Sequence, residues 1–151
     1  MEAKDIMTAN PVVVIEGETL WRASEKMLAN HFGGMPVVDD SGKYLGVLEM
    51  DDLLPRPENI PGSTDVIALQ LFDRWVDDHS IHDFEDIYKE MRVEEVMRTE
   101  VPKLRPEDSL RVILDKLIEN AYRRMPVVDE DDRLLGIITR GDLLMLLMGR
   151  K

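Results

Sequence analysis

Apolar residues between 110 and 118 recur at helical spacing. Leu110, Ile113, Leu114, Leu117 and Ile118 fall at i, i+3, i+4, i+7 and i+8, which lines them along one face of a helix. Ser109 immediately precedes them as the expected N-cap, because its hydroxyl can accept from the open backbone donors of the first turn, and Asn120 suits a left-handed C-terminal position. A weaker version of the pattern runs through Thr19, Leu20, Ala23, Met27, Leu28 and Asn30. The Pro-Val-Val that follows each helix, and the runs Tyr44 to Leu48 and Leu134 to Thr139, are short β-branched or aliphatic segments that predict strands. Gly42 in one case and Asp131-Asp132 in the other supply the turns between them.

These patterns are one pattern written twice. Sliding residues 4–54 onto 94–144, an offset of 90 without a gap, gives 14 identities in 51 positions, among them Met7/Met97, Leu20/Leu110, Asn30/Asn120 and Leu45/Leu135. The densest block is Met35-Pro36-Val37-Val38-Asp39 against Met125-Pro126-Val127-Val128-Asp129. Each copy reads as strand, helix, strand, turn, strand, helix. A unit of about 50 residues cannot bury such faces alone, so the copies are expected to pack on each other with pseudo-two-fold symmetry and related clefts between them. The fold class is α/β (α+β), divided into repeat 1 (residues 1–54), a proline-containing linker and helical insertion (55–90), and repeat 2 (91–151).

In the insertion, Pro55, Pro57, Pro61 and Gly62 break the preceding helix. Two amphipathic stripes follow, Ala68, Leu71, Phe72, Trp75 and Val76, then Phe84, Ile87, Tyr88 and Met91, with acidic residues opposite. His79, His82 and Asp83 have metal-ligand spacing, but the one other histidine is the distant His31, so no metal site is assigned. The ten methionines read as core filling.

Composition narrows the functions. A chain of 151 residues can bury roughly 70% of its unfolded surface. With no cysteine there is no disulfide framework, thiol nucleophile or cysteine-built zinc site. Lysine and arginine total 19 against 31 aspartates and glutamates, and the net charge of −12 opposes nucleic acid and anionic lipid. The apolar run Leu143 to Met148 is too short to cross a bilayer, and the first residues lack the pattern of an export signal, so a cytoplasmic location without membrane insertion is expected. No nucleophile–base pair, glycine-rich phosphate loop or phosphate-motif lysine is present, so the chain reads as a non-enzyme.

The string Gly136-Ile137-Ile138-Thr139-Arg140-Gly141-Asp142, which starts eleven residues after the start of the second Met-Pro-Val-Val-Asp block, resembles the nucleotide motif of the CBS-domain family, in which tandem copies form a Bateman module. The resemblance covers about two thirds of the chain and implies βαββα repeats. It implies that Asp142 anchors a ribose through its two acceptor oxygens, with Thr139 near phosphates and Gly136, Ile138 and Arg140 around them. Helix capping by Asp142 and Thr139 is the competing explanation. By the same resemblance Thr8, Asn10 and Val12 would surround the base, with Phe32, Gly33, Gly34, Met35 and Pro36 alongside.

The other cleft would hold Asp52 with Tyr122, Arg123, Arg124, Met125 and Pro126, but Glu49 stands where the second copy has Thr139. A carboxylate there repels phosphate unless it points away at the surface, so this cleft is expected to be the weaker. The implied function is a regulatory module that binds AMP, ADP or ATP, with Mg²⁺ accompanying ATP, and acts on a protein reached in trans or joined to it in a longer chain. S-adenosylmethionine and NAD stay open as ligands. The alternatives are a nucleotide-independent scaffold and an Mg²⁺ sensor. The apolar terminal helix, Leu143 to Met148, predicts a homodimer through terminal helices.

Overall fold

The structure, a computed structural model, describes residues 1–54, 85–119 and 122–150. Most of the insertion, including His79, His82 and Asp83, lies outside them, as does Asn120. The chain divides into two compact units that cut across the repeats: residues 1–16, 35–47 and 98–151 form the first, and 17–34 and 48–97 the second.

In the first unit, α1 (Ala3–Ile6) leads into β1 (Thr8–Ala9) and β2 (Val14–Ile15). Two hairpins carry the sheets, β3 (Gly34–Val38) with β4 (Tyr44–Glu49) and β5 (Arg124–Val128) with β6 (Leu134–Thr139), the last residues of β4 running into the second unit. One sheet has the order β1-β6-β5 and the other β2-β3-β4. Ser109 caps α4 (Leu110–Leu114), accepting from the Val112 amide at 3.5 Å, and the helix then widens by an extra residue per turn over Asp115–Glu119. After β6 the chain turns directly into α5 (Arg140–Leu147).

The pairing repeats at the sequence offset. Thr8 pairs with Ile137, and its counterpart 90 residues on, Arg98, pairs with Val47. Val14 pairs with Val37 as Leu104 pairs with Val127, and Glu2 bridges to Ser109 as Arg92 bridges to Thr19. The Lys43–Arg133 bridge maps onto itself, flanked by Tyr44 N donating to Asp132 O (2.9 Å) and Leu134 N to Gly42 O (3.0 Å). Each copy therefore begins by pairing with the other copy. The two turns match as well: Gly42 (φ 86°) and Asp132 (φ 63°) are both left-handed, and aspartate tolerates this where a bulkier residue would not. Lys103 hydrogen-bonds Asp132 and, with Coulombic help from Lys103, Arg105 and Lys43, holds its carboxyl below the usual range.

The hydrophobic core of this unit joins both copies: Ala3, Ile6 and Val47 pack with Leu104, Ile113, Leu117, Met125, Val127 and Ile138. The helix stripe read from sequence is split by this packing. Ile113 and Leu117 are fully buried, whereas Ile118 is 63% exposed.

In the second unit, Thr19 caps α2 (Leu20–Asn30), accepting from the Arg22 amide at 3.2 Å. The left-handed residue that ends the helix is His31 (φ 55°) and not Asn30, whose side-chain amide instead donates back to Lys26 O at 2.8 Å. The helix needs its left-handed turn one residue later because the His31 and Phe32 amides close onto Leu28 O and Met27 O. Residues 85–90 are helical, and Lys89 lies 5.0 Å from the Trp21 ring centroid. Arg92 donates to Gly17 O at 3.0 Å, tying the residues before α2 to those entering repeat 2, while the Lys26–Glu18 pair lies within repeat 1.

Candidate functional site

The candidate site in the first unit gathers where β6 becomes α5. Gly136 is favoured by close approach: a Cβ there would stand 2.5 Å from Met7 Sδ and 3.0 Å from Thr8 O, so a larger residue would have to displace the Met7 side chain and ease β1 away from β6. Met7 was legible in the sequence merely as an identity with Met97, and its packing role emerges only with β1 in place. Thr8 and Ala9 pair with Ile137 and Gly136, and Asn10 leaves the strand with φ 48°, its amide donating to Leu135 O at 3.1 Å.

Asp142 is 4% exposed. Thr139 and Asp142 form a reciprocal cap at the start of α5: Asp142 Oδ2 accepts from the Thr139 amide (2.8 Å) and hydroxyl (2.7 Å), and the Asp142 amide donates to Thr139 Oγ1 (3.3 Å). The capping role weighed from sequence is therefore present. The other oxygen does something that capping does not require: Asp142 Oδ1 accepts from Thr8 Oγ1 at 3.2 Å, across 134 residues of sequence. Buried carboxylates need such donors because leaving water is costly. The result is an acceptor with one face spent on the helix and the other turned to a hydroxyl from an exposed strand.

The remaining expected residues divide between the units. Val12 is 40% exposed, whereas Met35 is buried, as is Pro36 within β3. Ile138 belongs to the hydrophobic core, so its side chain is committed there. Arg140 is exposed and its Nε donates to Tyr122 O at 3.2 Å, while its amide reaches Arg123 O at 3.4 Å. Tyr122, exposed Arg123 and partly exposed Arg124 thus adjoin the start of α5, and Met125 and Pro126 are buried in β5.

Phe32, Gly33 and Gly34 lie in the second unit. Phe32 is 37% exposed, and Gly33 O accepts from the Met50 amide at 2.9 Å. Asp52 and Glu49 are there too, at the start of α3 (Met50–Leu53), with Asp52 Oδ2 accepting from the Glu49 amide at 3.1 Å. Glu49 is 3% exposed, so the alternative of a surface glutamate pointing away does not hold. As the residue that precedes a short helix, it is pulled inward by the same cap geometry that holds Thr139. Among the described residues, no cluster of three or more histidine, aspartate or glutamate side chains is arranged to hold a metal, and no helix is long and apolar enough to cross a membrane.

The family model for the CBS domain matches residues 3–58 and 93–149. Among curated proteins, the chain is 29% identical over 156 residues to the uncharacterized protein MJ1426 of Methanocaldococcus jannaschii, covering 98% of this chain and 92% of that one. Other curated relatives are longer, and the chain spans 45% and 58% of two of them. Among solved structures, CBSX2 in complex with AMP is similar at 25% identity and a TM-score of 0.72, over 98% of this chain and 96% of that one. The CBS domain pair of protein MJ0100, in complex with 5′-methylthioadenosine and S-adenosyl-L-methionine, is similar in fold at 20% identity and a TM-score of 0.70, over 100% of this chain and 98% of that one.

Proposed function

Since this chain belongs to the CBS-domain family and carries two copies of the domain, we propose that it is a regulatory module that senses an adenine nucleotide (AMP, ADP or ATP) through the Asp142 carboxylate. The observation that carries this reading is the hydroxyl already seated on Asp142 Oδ1. An oxygen that accepts an alcohol from Thr8 has the chemistry to accept one from a ribose, and an ionised carboxylate can take both hydroxyls of a vicinal diol. Arg123, Arg124 and Arg140 would supply cations for phosphate, in a chain whose overall charge is −12. The AMP bound by CBSX2 and the adenosyl compounds bound by the MJ0100 pair support the ligand class.

Sensing requires that the ligand prefer one arrangement of the protein, since equal affinity for two states shifts nothing. Isothermal titration calorimetry with AMP, ADP, ATP, NAD and S-adenosylmethionine, with and without Mg²⁺, tests the proposal. Binding of at least one adenylate below about 1 mM, a free energy of about −4 kcal/mol, is expected. Silence from the whole panel would defeat it.

A second reading is favoured by α5. Leu143 is buried, but Leu144 (58%) and Leu147 (83%) on the same short helix, and Met148 (55%) just past its end, are exposed. Such a run is better covered than solvated, and a homodimer through this terminal helix would cover it. Sedimentation at micromolar concentration is expected to give twice the 17.4 kDa of the chain. A monomer under those conditions would count against the scaffold role and leave the nucleotide reading untouched.

A further inference from the structure

We infer that the Thr8 hydroxyl is a resident competitor for Asp142, so that a ribonucleoside enters this site by exchanging with a hydroxyl of the protein itself. The inference rests on the ribose-binding role proposed above for Asp142 and concerns how that role is regulated.

The two carboxylate oxygens are held differently. Oδ2 takes two short bonds, 2.8 and 2.7 Å, from Thr139, three residues away in the same helix cap. These belong to the fold of α5 and stay in place whatever binds. Oδ1 takes the longer bond of 3.2 Å, from a side chain on a two-residue strand exposed to solvent. A ligand hydroxyl arriving at Oδ1 meets the Thr8 hydroxyl there. Exchange of one alcohol for another leaves the buried carboxylate with a donor throughout, which avoids the cost of stripping it bare. Thr8 can leave by rotating about its Cα–Cβ bond, because the pairing of Thr8 and Ala9 with Ile137 and Gly136 is made by backbone and does not use the hydroxyl. The device is confined to one half of the molecule: the residue 90 positions after Thr8 is Arg98, which has no hydroxyl to offer.

A competitor and a ligand contact make opposite predictions. If Thr8 competes, its loss tightens binding; if it holds the ligand, its loss weakens binding. Thr8→Val keeps the branched shape and strand preference while deleting the hydroxyl, and Thr8→Ser keeps the hydroxyl. Calorimetry on the full chain with adenosine is expected to give about 3- to 10-fold tighter binding for Thr8→Val and no more than about a twofold change for Thr8→Ser. With 2′,3′-dideoxyadenosine, which has no diol, Thr8→Val should gain nothing. On the wild-type chain, saturating adenosine should move the Thr8 side chain to a different χ1 rotamer, read by NMR from its three-bond couplings, a readout that stands even if a variant fails to fold.

Adenosine binding that Thr8→Val leaves unchanged or weakens, or a Thr8 rotamer that saturating adenosine leaves unchanged, overturns the competitor and spares the nucleotide reading. Absence of binding in both wild type and Thr8→Val overturns both. Binding seen in Thr8→Val alone supports the competitor and counts against sensing by the wild-type chain.

Discussion

Truncating Leu104 to alanine is expected to cost about 3 kcal/mol of stability, within the usual range of about 2–5 kcal/mol for a buried leucine. Leu104 is fully buried and sits in the core shared by the two repeats. Its amide donates to Pro126 O (2.8 Å) and its carbonyl accepts from the Val128 amide (2.9 Å), so the backbone around it is pinned and has little freedom to collapse into the vacated space. The lost transfer energy and the residual cavity therefore add. Urea unfolding of wild type, Leu104→Ala and Leu28→Ala measures this. The last removes an apolar side chain on α2 that is 68% exposed and should stay within about 0.5 kcal/mol of wild type. A Leu104→Ala loss below about 1 kcal/mol would contradict the shared core.

Replacing Asp142 with alanine should act on two quantities at once. Stability falls by about 1–2 kcal/mol, as for loss of a helix cap, because the Thr139 amide and hydroxyl lose their acceptor. Affinity for adenosine or AMP falls by more than about tenfold, equivalent to about 1.4 kcal/mol or more, because two hydrogen bonds to a charged acceptor vanish. The paired control is Thr19→Ala, which removes a cap of the same kind on α2 and should lower stability by about 1 kcal/mol. Its nucleotide affinity should match that of wild type. If Asp142→Ala binds nucleotide as wild type does, the carboxylate is a helix cap alone.

Local chemistry was legible in the sequence wherever a residue acts on near neighbours. Thr19 and Ser109 cap the helices they precede, because a cap is a bond across three residues and needs no tertiary context. Gly42 and Asp132 hold the matching turns for the same reason. Asn30 misled, since the left-handed position fell to His31, and a one-residue shift at a helix end is set by which carbonyls the closing amides reach. Glu49 was legible as the equivalent of Thr139 from the repeat offset, but its burial at the head of α3 was not, because a surface glutamate fits the same short stretch of sequence.

The repeat offset of 90 by itself determined which segments correspond, and the paired bridges at that spacing follow it residue by residue. Periodicity and turn chemistry likewise determined the order of helices and strands, because these depend on neighbours along the chain. Only the tertiary structure decided that each copy begins by pairing with the other, that compact units cut across the repeat boundaries, and that Asp142 meets Thr8. Those outcomes depend on groups up to 134 residues apart, whose meeting is fixed by burial and backbone pairing of the whole and leaves no mark in any short stretch of sequence.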